Sequence, residues 1–336
     1  MKKRLTIISA LFLTFLFLNF YTLPYYVMKP GMAESLDGII EVEGGYDEQG
    51  ELMLTTVRMG EANIISYLMT KINKYYVLEP KEVIRMKNET DEEYQVRQLY
   101  YMEDSQENAL QVAFKKAGKD INIKMNGIYV LSVRDDMPSS NVLRPGDRII
   151  AIDEHTFDSS LEFTNYIQSK KVGDEIHVTF LRNNKKMTKK IAVDMIPEIN
   201  KPGIGITLVE DKDVKTKPKV HFNSEKIGGP SAGLMFTLEI YNQLTEEDIT
   251  KGYKIAGTGT ISPDGTVGPI GGIEQKIVAA DREGVELFFA PNEQGKKGSN
   301  YKMAKKTAKE LKSNMKIIPI DSFDDALKYL SSLEKE

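Results

Sequence analysis

Lys2, Lys3 and Arg4 stand in front of an apolar run from Leu5 to Met28 that carries no charged residue. A run of that length can cross a bilayer as a helix. The positive cluster stays on the inner side, so everything after about Pro30 faces outward. A cleaved secretory signal is the alternative, and Gly31-Met32-Ala33 offers small residues for cleavage. An h-region is usually about 7–15 residues long. Here the apolar stretch is longer and ends in Pro24-Tyr25-Tyr26, an interfacial aromatic pattern. An uncleaved anchor over residues 1–30 is therefore expected, and both readings export the rest of the chain.

With 336 residues, 41% of them hydrophobic, the chain can bury more than one core. A net charge of −4 argues against nucleic acid as a partner. The absence of cysteine removes disulfides, thiolate zinc sites and thiol nucleophiles together. Three histidines, His155, His177 and His221, make a histidine-based metal cage an unlikely design; no metal and no cofactor is implied.

After the anchor, Ile39–Glu43 and Leu52–Val57 read as two strands of a hairpin, Ala62–Ile72 as an amphipathic helix, and the acidic run from Asn88 as the start of another helix. From about Ile121 to Val193 the pattern is short strands, one helix and tight turns. Gly127–Val133 is a strand opened by glycine, and Leu143-Arg-Pro-Gly-Asp147 is a turn feeding Arg148–Ile152. Ser159 and Glu162 offer a capping box, and Ile176–Leu181 with Met187–Val193 form a hairpin. Beyond residue 200 strands alternate with helices, which gives an α/β end. No Gly-x-x-x-x-Gly-Lys-[Ser/Thr] loop occurs, so the chain has no ATPase module of its own.

Two glycine-framed segments carry the chemistry: Gly228-Gly-Pro-Ser-Ala-Gly233 and Gly268-Pro-Ile-Gly-Gly-Ile-Glu-Gln-Lys276. A serine among small residues at a helix start is accessible and close to unpaired N–H groups, which an acyl-transfer oxyanion needs. In a helix starting at Ile273, Lys276 falls at the edge of the face shared by Ile273, Ile277 and Ala280. A partly desolvated lysine there has a lowered pKa and can act as a base. Periodicity alone favours a lysine whose stem packs while its ammonium reaches water. His221, ten residues before Ser231, stays open as a minor alternative base.

The turn Leu143–Asp147 ahead of an Ile-rich strand resembles a PDZ domain. That resemblance implies a carboxylate-binding loop at Met125, Asn126, Gly127 and Ile128, with a ligand added to the sheet edge as a strand. The glycine common in the later turn is missing from Asp153-Glu-His-Thr-Phe157. Gly-Pro-Ser-Ala-Gly followed by Lys276, with Thr258-Gly-Thr-Ile261 and Gly265–Gly272 between, resembles the proteolytic domain of the Lon family. The resemblance implies Ser231 as nucleophile, Lys276 as general base and Thr258 supporting the lysine amine. Where many Lon proteases carry an acidic residue ahead of this serine, the chain has Gly228, so how the site closes does not carry over.

The anchor, the PDZ-like segment and the Lon-like domain together resemble the YlbL or SepM type of bacterial membrane-anchored serine peptidase. The implied fold class is α+β, with an N-terminal transmembrane helix, a PDZ-like β-rich module and a Lon-type α/β proteolytic domain. In this reading residues 31–120 complete the Lon-like domain, 121–195 form the PDZ-like domain, inserted within it, and 200–336 the proteolytic domain. Members of this type are thought to cleave exported peptides or small membrane-tethered proteins, including peptide pheromones in some species. Lon-like domains often form rings, so a homo-oligomer is open. A catalytically inert PDZ-bearing adaptor and a membrane-linked assembly factor remain as alternatives.

Overall fold

In the computed structural model, which describes residues 2–86, 89–223 and 227–334, the N-terminal apolar run divides into two elements. Helix α1 (Lys2–Phe20) stops well short of Met28, and strand β1 (Thr22–Ser35) takes over. Pro24 cannot continue a helix, and Tyr25, Tyr26 and Val27 suit a pleated sheet. The expected anchor of 30 residues is thus a shorter helix followed by sheet. α1 remains long and apolar enough to cross a bilayer.

The hairpin expected between Ile39 and Val57 does not form. β2 (Ile40–Val42) and β3 (Glu51–Asn63) lie in different sheets: β3 pairs antiparallel with β1, whereas β2 awaits a partner far along the chain. Helix α2 (Ile64–Ile72) follows β3 directly, started by a reciprocal cap in which Ser66 N–H donates to Asn63 Oδ1 and Asn63 N–H to Ser66 Oγ, each at 2.8 Å. β4 (Val77–Pro80) returns to pair with Tyr25–Met28 of β1. After the short α3 (Lys81–Ile84) comes α4 (Asp91–Ala117), capped by Thr90 with Glu93 and closed by Gly118 in the left-handed conformation. Asn88, where that helix was expected to begin, lies outside the described residues.

The middle module is a five-stranded antiparallel sheet in the order β11-β5-β6-β7-β8. Its members are β5 (Asp120–Val133), β6 (Arg148–Ile152), β7 (Glu175–Arg182), β8 (Lys185–Ala192) and, beyond the small pair β9 (Asp194–Ile196) and β10 (Lys201–Gly203), β11 (Ile206–Lys217). Helix α5 (Ser160–Gln168) covers it and contributes Phe163 and Ile167 to a core with Val130, Ile149, Val178 and Phe180. Asp147, buried in the Leu-Arg-Pro-Gly-Asp turn, accepts both Arg182 Nε and Nη2 at 2.7 Å. The sheet therefore runs to Lys217, past the boundary at 200, because β11 pairs along the whole length of β5.

β12 (Val220–Phe222) pairs with β2. Helix α6 (Gly233–Leu244), β13 (Lys254–Gly257), the β14 (Thr260–Ile261) and β15 (Val267–Gly268) pair, α7 (Ile273–Arg282), β16 (Leu287–Pro291), α8 (Asn300–Leu311), β17 (Lys316–Ile320) and α9 (Phe323–Ser331) complete the chain. The main sheet has the order β17-β16-β13-β3-β1-β4, so strands before residue 81 and after residue 253 share it. β13 is parallel to both β3 and β16. One core joins Leu52 and Leu54 of β3, Ala113 and Phe114 of α4, and Leu234, Phe236 and Leu238 of α6. Burying such side chains contributes about 1.5–3 kcal/mol each. This core holds α6, and thereby its first turn, against the sheet.

Candidate active site

Four elements converge on Ser231. It stands immediately before the N-cap of α6, Ala232, where first-turn N–H groups have no acceptor inside the helix. Its carbonyl is held twice, by Gly259 N–H and by Thr258 Oγ1, both at 2.9 Å. Upstream, Gly229 N–H donates to Gln98 O at 2.9 Å and Ser105 Oγ to Pro230 O at 3.3 Å, so α4 fixes the loop that delivers the serine. Gly228 has a local reason: a Cβ there would stand 3.0 Å from Gln98 Cβ, so the acidic residue found in many Lon proteases would require Gln98 to give by a few tenths of an ångström.

Lys276 enters from α7, whose face of Ile273, Ile277 and Ala280 packs into the second core of the main sheet. The side chain does not reach bulk water: Lys276 is 3% exposed. Its Nζ lies 3.1 Å from Ser231 Oγ and donates to the carbonyl of Thr55 on β3. Burial alone pulls the ammonium down from its ordinary value near 10.5 to about 7. A large share of the amine is therefore neutral at pH 7 and able to take a proton from the hydroxyl. Thr258 is brought to the serine rather than to the lysine, because its hydroxyl is spent on the Ser231 carbonyl. The support for the amine that was expected of Thr258 comes instead from Thr55, through a backbone oxygen that no side-chain motif announces.

The pair opens into a cavity of about 940 Å³ lined by Met32 and Glu34 of β1, Thr55 to Arg58 of β3, Gln98 and Met102 of α4, and the Ile227–Ala232 loop. Its size is that of a ligand site. His221 lies on β12, more than half exposed and 3.5 Å from Glu43, and is not among the residues around this cavity.

The proposed carboxylate loop is not a loop. Met125, Gly127 and Ile128 sit inside β5, paired with Lys212, Asp211 and Glu210 of β11, and Ile128 also pairs with Ile149 of β6. Asn126 occupies an irregularity in that register. Gly127 has φ +149°, and a Cβ there would stand 2.5 Å from Ile149 O, so the glycine marks a close approach of two strands. The edges of this sheet are β11 and β8, and β11 is the one that packs beside α5. The missing turn glycine is replaced by Asp153 and Glu154 at positive φ, with the Asp153 carboxylate accepting His177 N–H at 2.7 Å and Lys170 Nζ at 3.1 Å.

Residues 190–332 match the Lon protease (S16) C-terminal proteolytic domain, and residues 84–193 match the PDZ domain. The chain carries a PDZ domain and a Lon-type proteolytic domain. Among similar proteins, a Lon protease of Mycoplasma mobile is 26% identical over 306 residues, covering 88% of this chain and 29% of its own length. A Lon protease of Metamycoplasma arthritidis is 34% identical over 102 residues, 30% of this chain and 11% of its own. The chain thus spans less than a third of the length of each of these relatives. Among solved structures, the PDZ domain of the SdrC-like protein from Listeria monocytogenes is 44% identical, covering 26% of this chain and 93% of that one, with a TM-score of 0.26. The Lon match holds Ser231, Thr258 and Lys276. Thr55, Gln98 and Ser105, which position them, lie outside it.

Proposed function

We propose that the protein is an ATP-independent, membrane-anchored serine endopeptidase that cleaves exported peptides or small membrane-tethered proteins, with α1 as its single-pass anchor. The observation that carries the reading is a buried amine with a pKa of about 7, 3.1 Å from a serine hydroxyl at the wall of a peptide-sized cavity. Neutral Lys276 takes the Ser231 proton as Oγ attacks the peptide carbonyl carbon. The same proton then passes to the leaving amine as the C–N bond breaks, leaving an ester on Ser231. Water, deprotonated by Lys276, hydrolyses that ester and restores the free hydroxyl. Backbone N–H groups around Ser231 at the start of α6 are the candidates to hold the oxyanion, other than Leu234 N–H, which donates to Gly259 O at 3.1 Å.

Substrate recruitment belongs to the PDZ domain, and the β11 edge suits it better than Met125 to Ile128. A cavity of about 360 Å³ borders Ser160 of α5 and Leu208 and Val209 of β11, and also Pro230 and Ile261 beside the serine. An extended segment added to β11 would run toward the catalytic loop. The test compares exported and membrane-tethered proteins in cells carrying the wild type or Ser231→Ala. A substrate that accumulates intact only with the alanine variant supports the reading; identical profiles, together with absence of peptide cleavage in vitro, reject it.

A further inference from the structure

Helix α2, like α1, buries none of its described residues although it is rich in apolar side chains. Its inner face rests on β1, β3 and β4. On the outer face Leu68, Met69 and Ile72 form one stripe at helical spacing, and Ile72 is 81% exposed. Tyr67 flanks the stripe, with Lys71 Nζ 5.3 Å from its ring centre. An apolar stripe bordered by an aromatic ring and a lysine is the pattern of a helix lying at a membrane surface.

The height of α2 agrees with that pattern. At 1.5 Å per residue α1 spans about 28 Å, close to the roughly 30 Å of a hydrocarbon core. Asn19, one residue from its end, accepts a hydrogen bond from Asn63 Nδ2 at 2.9 Å. Asn63 is the N-cap of α2, so α2 starts at the level where α1 leaves the bilayer. A nine-residue helix would bind lipid weakly by itself. Here the anchor already holds it at the surface, so docking is an intramolecular event.

We infer that α2 lies in the outer membrane interface beside the end of α1, with Leu68, Met69 and Ile72 against lipid. The inference rests on α1 spanning the bilayer, as proposed above. It has a consequence for substrate geometry. Gln275, next to the candidate base, donates to Tyr75 O in the segment that follows α2, which ties α7 to this membrane-facing corner. Met32, at the cavity wall, is ten residues (32 − 22) beyond the start of β1. At about 3.3 Å per residue the cavity then sits within about 33 Å of the membrane, in reach of short tethered substrates.

The chain has no cysteine and no tryptophan, so a single introduced thiol reports without background. Full-length Leu68→Cys and Ile72→Cys, each carrying a polarity-sensitive fluorophore, are reconstituted into vesicles of phosphatidylcholine and phosphatidylglycerol. Lys296→Cys, on an exposed loop, is the control. Each labelled variant must first keep the thermal transition of the unlabelled protein. Nitroxide-bearing lipids should quench more than half of the emission at 68 and 72 and leave the control almost unchanged. Failure of the protein to float with vesicles would defeat the anchor and this inference together. Flotation with both labels unquenched and open to iodide would defeat α2 docking alone and leave the peptidase reading intact. Emission that is shielded from iodide, insensitive to lipid quencher and dependent on protein concentration would assign the stripe to a second copy and overturn the inference.

Discussion

Replacing Lys276 by methionine removes the amine while keeping most of the side chain's length and apolar stem, and its effect on stability depends on pH in a direction that can be worked out. Lys276 has a folded-state pKa of about 7, against an ordinary value of 10.5. Between pH 7 and pH 9 the unfolded lysine keeps its proton while the folded one loses it. Unfolding then takes up protons, so stability rises with pH by up to about 1.4 kcal/mol per unit. Half of the folded amine is already neutral at pH 7, which leaves a gain of about 2 kcal/mol over the two units. Lys276→Met has no such dependence. It should be the more stable protein at pH 7, with the gap narrowing by roughly 4–8 °C in Tm by pH 9, using about 2–4 °C per kcal/mol for domains of this size. Glu48, raised by burial to about 7, and Glu107 and Glu239, raised to about 8, keep protons that the unfolded chain has lost. They lower stability as pH rises toward those values, but they are common to both proteins and cancel in the difference. The assay is a melting series of both full-length proteins in detergent at pH 7, 8 and 9. A constant Tm gap would mean that Lys276 stays charged throughout, and the poised-base argument would fail.

Gly127→Ala is expected to unfold or loosen the PDZ domain rather than block a ligand, since the new Cβ meets Ile149 O. A cost above about 2 kcal/mol, read by denaturation, is consistent with a strained φ plus a backbone clash, and a neutral effect would show that the strands can part cheaply. Leu208→Arg on the β11 edge should raise KM for long substrates several-fold and leave short-peptide cleavage unchanged, because recruitment acts equally on ground and transition states; an unchanged KM removes the edge from the account. Glu239, on α6, is 1% exposed and its Oε2 has no hydrogen-bond partner among the described residues. Burial holds it protonated to about pH 8 while the unfolded carboxyl ionises near 4.5, so Glu239→Gln should be near neutral at pH 4, increasingly stabilising as pH rises to about 8, and level above that, as melting curves at pH 4, 6, 8 and 9 would show.

The small residues framing Ser231 mark it locally, whereas helical phase puts Lys276 only at the edge of an apolar face and by itself favours an ammonium that reaches water; the resemblance to the Lon proteolytic domain is what singled out the pair. What phase could not supply was the depth of burial, since that depends on β1 and β3, drawn from the other end of the chain. Thr55 was invisible for a related reason. It holds the amine through its carbonyl, from a residue 221 positions away, and a backbone oxygen leaves no mark in a sequence. Non-local pairing also defeated the early hairpin, because Ile40–Val42 finds Val220–Phe222 across the intervening PDZ domain. At Gly127 the signal was real but misread. A glycine in a strand pattern can mean a loop offering N–H groups or a neighbouring strand too close for a side chain, and only the position of Ile149 decides between them. β1 was hidden inside the apolar run, where hydropathy continues past Phe20 while the backbone changes from helix to sheet.

The central claim is that a neutral Lys276 activates Ser231, and the rate of acylation by a serine-directed probe tests it most directly. Labelling of the full-length protein should reach one equivalent, map to Ser231 and rise with pH through a midpoint near 7. It should be absent in Ser231→Ala. Lys276→Arg should label at the background rate at every pH, because a guanidinium keeps its proton. Labelling that maps elsewhere, or that proceeds at the wild-type rate and pH dependence in the arginine variant, would contradict the account.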